Sequence, residues 1–325
     1  MHSNSINHVL ITIGICTYRR PDELALLLDG IINQTFKKIP KPKLSIVVVD
    51  NEVSNKAKDI CDFFRAQDTG ISLVYAEEPV RGISHARNKV LSLVPKDCEY
   101  LALIDDDEIP CQQWLEQLFV TRLATNAEVV RGPVFPCFPP DTPTWIVNGE
   151  YFGWPGKRKL SDKQPLGSVA TNNVLMYWPV IASLGPQFDP ELAFTGGEDV
   201  VFFEGLKKHG VSFAYAKHAA VYEYIPPERI SLISLLRLNY RYGNNRLAKV
   251  VRLSKESSHG KSLFFIIPIQ IWKAIKNIVS GIISIPIKMP RAKTPDAAFG
   301  PGFVKIARGI GLISGMFGIK YKYYK

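Results

Sequence analysis

Short apolar runs alternate with helical patterns over the first hundred residues of the chain. The apolar runs show little alternation with polar residues, which is typical of strands buried on both faces of a sheet. The stretches between them place apolar residues at helical spacing, and the first opens with Pro21 and two acids. The pattern predicts an α/β fold with a mostly parallel central sheet flanked by helices. The predicted strands are 9–16, 44–49, 71–75 and 100–104, and the predicted helices are 21–34, 56–65 and 83–93.

The rest of the chain is less regular. Residues 131–165 are rich in Pro, Gly and Trp and predict a long loop region with short elements. Helical patterns return at 200–207 and 230–250. From Leu263 onwards the chain becomes strongly apolar and basic.

Ligands of such sheets bind beyond the carboxyl ends of the strands, so the residues that follow each predicted strand are the first candidates for a site. The first strand leads into Thr17-Tyr18-Arg19-Arg20, and the second into Asp50-Asn51-Glu52. The fourth leads into an unbroken acidic run, Asp105-Asp106-Asp107-Glu108. These three strand ends are the candidate site.

The acidic run is the sharpest of these features. Neighbouring carboxylates repel one another, and a bound cation relieves the repulsion. In an extended segment Asp105 and Asp107 would point to one side and Asp106 to the other. Two carboxylates on one side suit Mg²⁺ or Mn²⁺, which also bind substrate phosphates. A solvated acidic turn remains the alternative.

Two further clusters are candidates. In the helix at 83–93, Ser84, Arg87 and Asn88 share one face, where the arginine could pair with a phosphate or with the acidic run. Taken alone, such a cluster is more often an ordinary surface face of a helix. Two glycines precede Glu198 and Asp199 at the start of a helix, where an acidic pair is either an N-terminal cap or the place of a general base.

Composition limits the classes of function. The net charge of +10 lies in the tail, because the residues after Glu256 carry eleven Lys and Arg against Asp296 alone, while the first 256 residues balance 29 bases with 29 acids. A nucleic-acid partner is therefore not expected. The five scattered cysteines favour neither a disulfide framework nor a zinc site and indicate a reducing compartment. We expect no signal peptide in the polar stretch 1–8.

Five segments together resemble the inverting family-2 glycosyltransferases, over about residues 9–230. The resemblance implies the glycosyltransferase-A fold and an inverting transfer from a nucleotide-sugar donor to an acceptor hydroxyl. The segments that carry it are 13–20, 47–51, 82–88, 105–107 and 196–199.

The resemblance also implies roles for individual residues. Thr17 and Arg19 would line the nucleotide pocket, and Asp50 would bind the base, typically uracil. Arg87 would brace the nucleotide and the acidic run. On the donor side, Asp105 and Asp106 would contact the nucleotide sugar and Asp107 would ligate Mn²⁺ or Mg²⁺. Asp199 would be the general base, Glu198 would contact the acceptor, and Asn173 would lie near the donor sugar.

One position departs from the family pattern. Many relatives have a histidine after the last core strand that can join the metal site, and the corresponding stretch here is 220–224, with Glu223 but no histidine. His218 comes too early. The segment 229–246 resembles exopolysaccharide-type members, such as those that build succinoglycan, which hints at a saccharide or lipid-linked saccharide acceptor.

The tail predicts membrane association. Residues 263–287 are apolar but interrupted by Lys273 and Lys276, with Pro268 and Pro286 expected to bound a helix. Its polar stripe and basic charge predict an amphipathic helix at an anionic membrane surface, with residues 263–325 as the anchor. A helix packed on the catalytic core is the alternative, and a transmembrane hairpin is disfavoured by the lysines.

The sequence therefore predicts three regions and a localisation. Residues 1–110 form a nucleotide-sugar-binding half, 111–230 the acceptor-binding half of the same catalytic domain, and 231–325 a basic membrane-association region. We expect a peripheral protein at the cytoplasmic face of a bacterial inner membrane. One alternative is a sugar nucleotidyltransferase, for which a glycine-rich phosphate loop is expected after the first strand. The other is a non-catalytic membrane-bound assembly protein.

Overall fold

A computed structural model describes residues 9–52, 55–156, 158–255, 263–288, 294–317, 319 and 321, with the backbone only for 247–255, 263–266 and 288. The strands in these ranges are β1 (Leu10–Thr17), β2 (Lys43–Asp50), β3 (Ser72–Glu77), β4 (Tyr100–Leu103), β5 (Glu108–Pro110), β6 (Val129–Arg131), β7 (Val134–Cys137), β8 (Val174–Tyr177), β9 (Phe213–Tyr215) and β10 (Val221–Tyr224).

The helices are α1 (Pro21–Ile32), α2 (Asn55–Arg65), α3 (Ile83–Leu93), α4 (Trp114–Thr125), α5 (Thr144–Val147), α6 (Trp178–Ser183), α7 (Glu198–Lys208), α8 (Leu232–Lys255), α9 (Leu263–Lys288) and α10 (Pro295–Met316). The four predicted strands correspond to β1–β4 and the three predicted helices to α1–α3.

The central sheet has seven strands in the order β3-β2-β1-β4-β8-β6-β9. The first four are parallel, β8 runs antiparallel to both β4 and β6, and β9 is parallel to β6. The prediction of a mostly parallel sheet is confirmed. A second sheet, β5-β10-β7, was not predicted, because its short strands come from distant parts of the chain.

Alternate residues of the buried strands fill two separate hydrophobic cores. In β2, Ile46 and Val48 belong to one core and Val47 and Val49 to the other. Helix α1 adds Leu24, Leu27 and Leu28 to the first core, and α3 adds Ala86 and Val90 to the second. Burial on both faces explains why the strands lack polar alternation.

The chain divides into two compact units. The sheet unit comprises 1–137, 152–193 and 198–224, and the helical unit comprises 138–151, 194–197 and 225–325. The predicted start of the membrane region at residue 231 lies close to the last of these boundaries. The predicted division of the catalytic domain into 1–110 and 111–230 stays a prediction.

In the helical unit, α10 packs against α8 and α9 through glycines. A side chain at Gly311 would place its Cβ 2.0 Å from the carbonyl oxygen of Tyr240 in α8, and one at Gly309 would place it 2.8 Å from that of Ala274 in α9. Distances this short exclude any larger residue. The glycines of α10 therefore let its backbone approach those of α8 and α9 closely.

Helix α9 differs from its prediction in two ways. It runs through Pro268 and Pro286 instead of being bounded by them. Each proline lies within two turns of a helix end, so each removes a single backbone hydrogen bond there. Its predicted polar stripe also lies inward: Gln270 is 4% exposed, whereas the apolar residue Trp272 is 60% exposed.

Among the helices in the described ranges, none is both long and apolar enough to cross a membrane. The end of the predicted anchor, 320 and 322–325, lies outside the described residues.

Candidate active site

The three polar strand ends meet at one edge of the central sheet. Thr17 in β1 lies opposite Asp50 in β2, and β4 pairs with the other side of β1, with Leu103 opposite Gly14. Because these strands are parallel, the acidic run that follows β4 emerges at the same edge as Thr17 and Asp50. The sequence prediction placed these residues together for this reason.

The acidic run forms a turn, and the predicted arrangement of its side chains is wrong. The backbone N–H of Glu108 donates to the carbonyl oxygen of Asp105 at 3.2 Å, so the segment is not extended. Arg20 Nη1 then lies 2.8 Å from both Asp106 Oδ1 and Asp107 Oδ2. Asp106 also accepts a hydrogen bond of 2.9 Å from the Thr17 hydroxyl. Asp106 and Asp107 therefore face one guanidinium instead of opposite sides.

Arg87 connects the acidic run to α7. Its Nη2 lies 3.4 Å from Asp105 Oδ1, and its Nη1 hydrogen-bonds to Glu198 Oε1. The Arg87 side chain is 10% exposed and packs over the ring of Phe188. A buried guanidinium with a planar set of donors can hold two carboxylates in fixed positions. The structure thus brings together Arg87, Asp105 and Glu198, which the sequence placed in one site.

Asp199 occupies the first turn of α7, next to Glu198. It is half-buried, and its charge acts on Arg87, Arg131 and Asp105. The second oxygen of Glu198, Oε2, is buried without a hydrogen-bond partner among the described residues. The helix start therefore offers two carboxylates to the site instead of using both as caps.

Burial raises the pKa of several acids in this cluster. The pKa of Asp106 rises to about 7 because the side chain is removed from water, even though Arg20 opposes the shift. Burial, and then the charges of Asp105 and Asp107, raises the pKa of Glu108 well above its usual value. Carboxylates held together out of water gain most from an added positive charge.

Asp50, for which the resemblance implies contact with the base, is 1% exposed. Asp50 accepts hydrogen bonds from the Tyr75 hydroxyl at 3.2 Å and from the Glu52 backbone N–H at 2.8 Å. Arg19 pairs with Glu52, and its side chain is 64% exposed. Arg19 is therefore at the open rim of this edge, whereas Asp50 lies beneath it.

Asn51 fixes the loop between β3 and α3. Its Nδ2 donates to the carbonyl oxygens of Glu78 and Val80 at 2.7 and 2.8 Å, and its Oδ1 accepts from the Gly82 backbone N–H at 2.7 Å. Gly82 has a φ of 128°, and a Cβ there would lie 2.5 Å from that of Ala193. Only glycine fits where α3, the helix of Arg87, begins.

The expected contact of Asn173 with a donor sugar is contradicted by its surroundings. Asn173 is 0% exposed, accepts from the Trp114 indole N–H at 2.7 Å, and donates to the carbonyl oxygens of Pro133 and Ala219. Both N–H groups of its amide are therefore used in hydrogen bonds within the core, where the side chain links three separate segments. The neighbouring Asn172 instead contacts Glu108 and Arg131.

Two arginines of the site had no predicted role: Arg20, which belongs to a predicted strand end, and Arg131, which belongs to none. Arg20 holds Asp106 and Asp107, as described above. Arg131 at the end of β6 is 6% exposed, packs 4.0 Å over the Trp154 ring and donates to Asn172 at 2.9 Å. Burial lowers its pKa to about 10. A charged residue directly after the apolar pair Val129-Val130 was the signal that could have identified it.

The acidic residues suit a divalent cation that takes its remaining coordinating oxygens from a bound phosphate and from water. No group of three or more His, Cys, Asp or Glu residues in the described ranges is arranged as a complete metal site. Mg²⁺ in phosphate-binding sites needs only one or two carboxylates and completes its shell with phosphate oxygens and water. Asp107, 15% exposed and surrounded by further carboxylates, offers such a ligand.

Comparison with known proteins identifies a family. The model for glycosyl transferase family 2 matches residues 12–177. The succinoglycan biosynthesis protein ExoM of Rhizobium meliloti is 30% identical over 312 residues, which are 95% of this chain and 94% of that protein.

Solved structures support the fold. The mannosyltransferase PcManGT from Pyrobaculum calidifontis, determined with GDP-Man and Mn²⁺, gives a TM-score of 0.57 at 16% identity and covers 94% of this chain and 86% of its own. TarS of S. aureus gives 0.52 at 14% identity over 94% of this chain, which spans 55% of TarS. At these identities the likeness concerns the fold alone, and it confirms the predicted glycosyltransferase-A fold.

Proposed function

We propose that this chain, which belongs to glycosyl transferase family 2, moves a sugar from a UDP-linked donor to a saccharide or lipid-linked saccharide acceptor, with inversion. Its similarity to ExoM supports a role in bacterial exopolysaccharide biosynthesis. The observation that carries the proposal is Arg87, which joins the acidic turn after β4 to the carboxylates that begin α7. Family membership favours this activity over a nucleotidyltransferase or a non-catalytic assembly protein.

The edge of the sheet divides into a donor side and an acceptor side. On the donor side, Asp50 would receive a hydrogen bond from the base, with Thr17 and Arg19 lining the nucleotide pocket. Asp105 and Asp106 would contact the nucleotide sugar. The Thr17–Asp106 hydrogen bond of 2.9 Å supports a fixed geometry on this side before the donor binds.

Asp107 would ligate Mn²⁺ or Mg²⁺, which the buried carboxylates favour. When bound, such an ion neutralises charge on the leaving diphosphate. Arg20, 2.8 Å from Asp107 Oδ2, keeps this carboxylate in place. PcManGT, which shares the fold, was determined with Mn²⁺.

On the acceptor side, Asp199 would take the proton of the attacking hydroxyl. The hydroxyl oxygen forms a bond to the anomeric carbon as the bond to the diphosphate oxygen breaks, so the configuration inverts and the diphosphate leaves with the bonding electrons. Glu198 is held through Oε1 by Arg87, and its unpartnered Oε2 can accept a hydrogen bond from the acceptor. In this arrangement Asp199 transfers the proton and Glu198 binds the acceptor.

A panel of nucleotide sugars tests the donor class. We expect Mn²⁺-dependent release of UDP from at least one UDP-sugar, and thermal stabilisation of the protein by UDP but not by GDP, because Asp50 would select the base. Inactive CMP- and GDP-sugars serve as controls. Stabilisation by GDP with no response to UDP would contradict the proposed donor, and formation of UTP from a UDP-sugar and added inorganic diphosphate would instead indicate a nucleotidyltransferase.

We further propose that the helical unit, through residues 263–325, holds the protein at the cytoplasmic face of the inner membrane as a peripheral protein. The support is the outward face of α9, where large apolar side chains are exposed, among them Trp272 (60%), Ile275 (52%) and Ile282 (56%). Soluble proteins rarely expose so continuous an apolar surface without a partner. The lysines and arginines of the same region suit an anionic membrane.

Replacing exposed apolar residues of α9 should weaken membrane binding. We expect Ile275→Ser/Ile282→Ser to bind lipid vesicles about tenfold more weakly in flotation assays, because each change removes apolar surface that would enter the lipid. The matched control is Leu26→Ser/Leu123→Ser in the sheet unit, where the two leucines are 57% and 45% exposed. Equal binding by both double variants would contradict α9 as the anchor.

A further inference from the structure

A basic cavity lies within the helical unit, between α8, α9 and α10. Its volume is about 480 Å³. Arg246 of α8, Lys273 and Lys276 of α9, and Arg308 of α10 line it, and the ring of Trp272 forms part of its wall. The close glycine contacts of α10 with both other helices hold these four cations around one space.

Three of the four cations contact neutral partners among the described residues. Arg246 Nε donates to Gln270 Oε1 at 3.2 Å, and Arg308 Nη2 donates to Asn239 Oδ1 at 2.7 Å. Lys276 lies 5.1 Å from the centre of the Trp272 ring. Among the residues that the structure describes, none of these four takes part in an ion pair with a carboxylate.

Crowding of like charges in this cavity is unfavourable without an anion. Partial burial, and then the charge of Arg246, lowers the pKa of Lys273. Burial lowers the pKa of Arg308, and Arg246 adds to that effect. The tail sequence supplies little compensation, because Asp296 is the single acid after Glu256. The cavity is therefore complementary to an anionic group.

The position of the cavity beside the apolar face of α9 indicates the kind of anion. Trp272 and Lys276 line the cavity, and Ile275 and Val279, one turn along the same helix, are 52% and 46% exposed. A soluble phosphate or a nucleic acid would use the cations and leave these side chains in water. A phospholipid offers a phosphate to the cavity and acyl chains to the apolar face.

We propose that this cavity binds the phosphate of an anionic phospholipid in the membrane to which the protein attaches. The inference rests on the membrane association proposed above and adds to it a defined headgroup site. Arginine would contact the phosphate with paired donors and the lysines as compact charges. Trp272 would lie at the headgroup level, where amphipathic rings are favoured.

The test uses the full-length protein and vesicles of phosphatidylcholine, alone or with about a third phosphatidylglycerol. We expect wild type to prefer the anionic vesicles. Lys273→Gln/Lys276→Gln should lose about 30-fold in affinity for them and keep its binding to phosphatidylcholine, since each lysine near an anionic surface contributes about a factor of five. The matched control is Arg237→Gln/Lys305→Gln, which removes two exposed charges of the helical unit outside the cavity.

Each outcome decides the proposal. Equal losses in both double variants would show attraction by overall charge and overturn the headgroup site. Binding of wild type to neither vesicle would overturn membrane association itself. Millimolar inorganic phosphate that stabilises wild type but not the cavity variant, with no preference for anionic vesicles, would assign the cavity to a soluble phosphate. If the double variant fails to fold, Lys276→Gln against Lys305→Gln gives the same comparison.

Discussion

Replacement of Asp107 by alanine is expected to abolish divalent-ion-dependent turnover and leave the fold intact. The variant loses the carboxylate that would share a metal ion with the donor diphosphate, and loss of such charge stabilisation costs about 10³-fold or more in kcat. Arg20 keeps its bond to Asp106 in the variant. Because the Arg20 side chain is 42% exposed, losing its pair with Asp107 should cost about 1 kcal/mol of stability at most.

Turnover and ion binding should be measured separately. Titration of Mn²⁺ by electron paramagnetic resonance in the presence of UDP reports ion binding, and UDP release reports turnover. Asp97→Ala is the matched control, since Asp97 is an exposed acid of the same unit. Wild-type turnover and Mn²⁺ affinity in Asp107→Ala would remove this residue from the metal site.

Replacement of Asp199 by asparagine is expected to stop transfer without loss of donor binding. Asparagine keeps the shape of the side chain but does not accept the proton of the acceptor hydroxyl, so kcat should fall by about 10²- to 10⁴-fold. Donor binding should persist because Asp50, Thr17 and the acidic turn are unchanged. Calorimetry with UDP and a transfer assay with an acceptor distinguish the two effects.

The control for this variant is Glu204→Gln, which makes the same chemical change on the same helix. Glu204 lies in α7 between the buried Phe203 and Leu206 and is itself half-buried. The Glu204→Gln variant should transfer sugar at the wild-type rate. Full transfer by Asp199→Asn would exclude it as the base, and loss of UDP binding would show that it acts on the donor side.

The sequence predicted those parts of the fold that depend on local pattern. β1, β2 and β4 are apolar because both faces of the sheet are covered there, so their positions and their polar ends could be recognised. The partners of β8 and the sheet β5-β10-β7 depend on pairing between distant segments, which no local pattern reveals. Arg87, Asp105 and Glu198 were placed in one site because each lies beside an element that the pattern did define.

The errors have physical causes. The acidic run forms a turn that includes a backbone hydrogen bond from Glu108 to Asp105, so its carboxylates do not alternate as they would in an extended segment. Asn173 was expected at the donor, but its amide replaces missing backbone partners in the core. In α9, two residues of the polar stripe, Lys273 and Asn277, line a cavity between α8, α9 and α10, because the glycines of α10 bring these helices close together.

The three hydrogen bonds of Asn51 have a consequence for engineering of this enzyme. They connect the end of β2, where Asp50 lies, to the loop that ends at Gly82. Helix α3 begins directly after Gly82 and carries Arg87. A loop of different length at 78–82 would shift both residues at once. With the roles proposed above for Asp50 and Arg87, donor preference is therefore better redesigned by exchanging side chains on a fixed backbone, since grafting a loop here would displace both residues together.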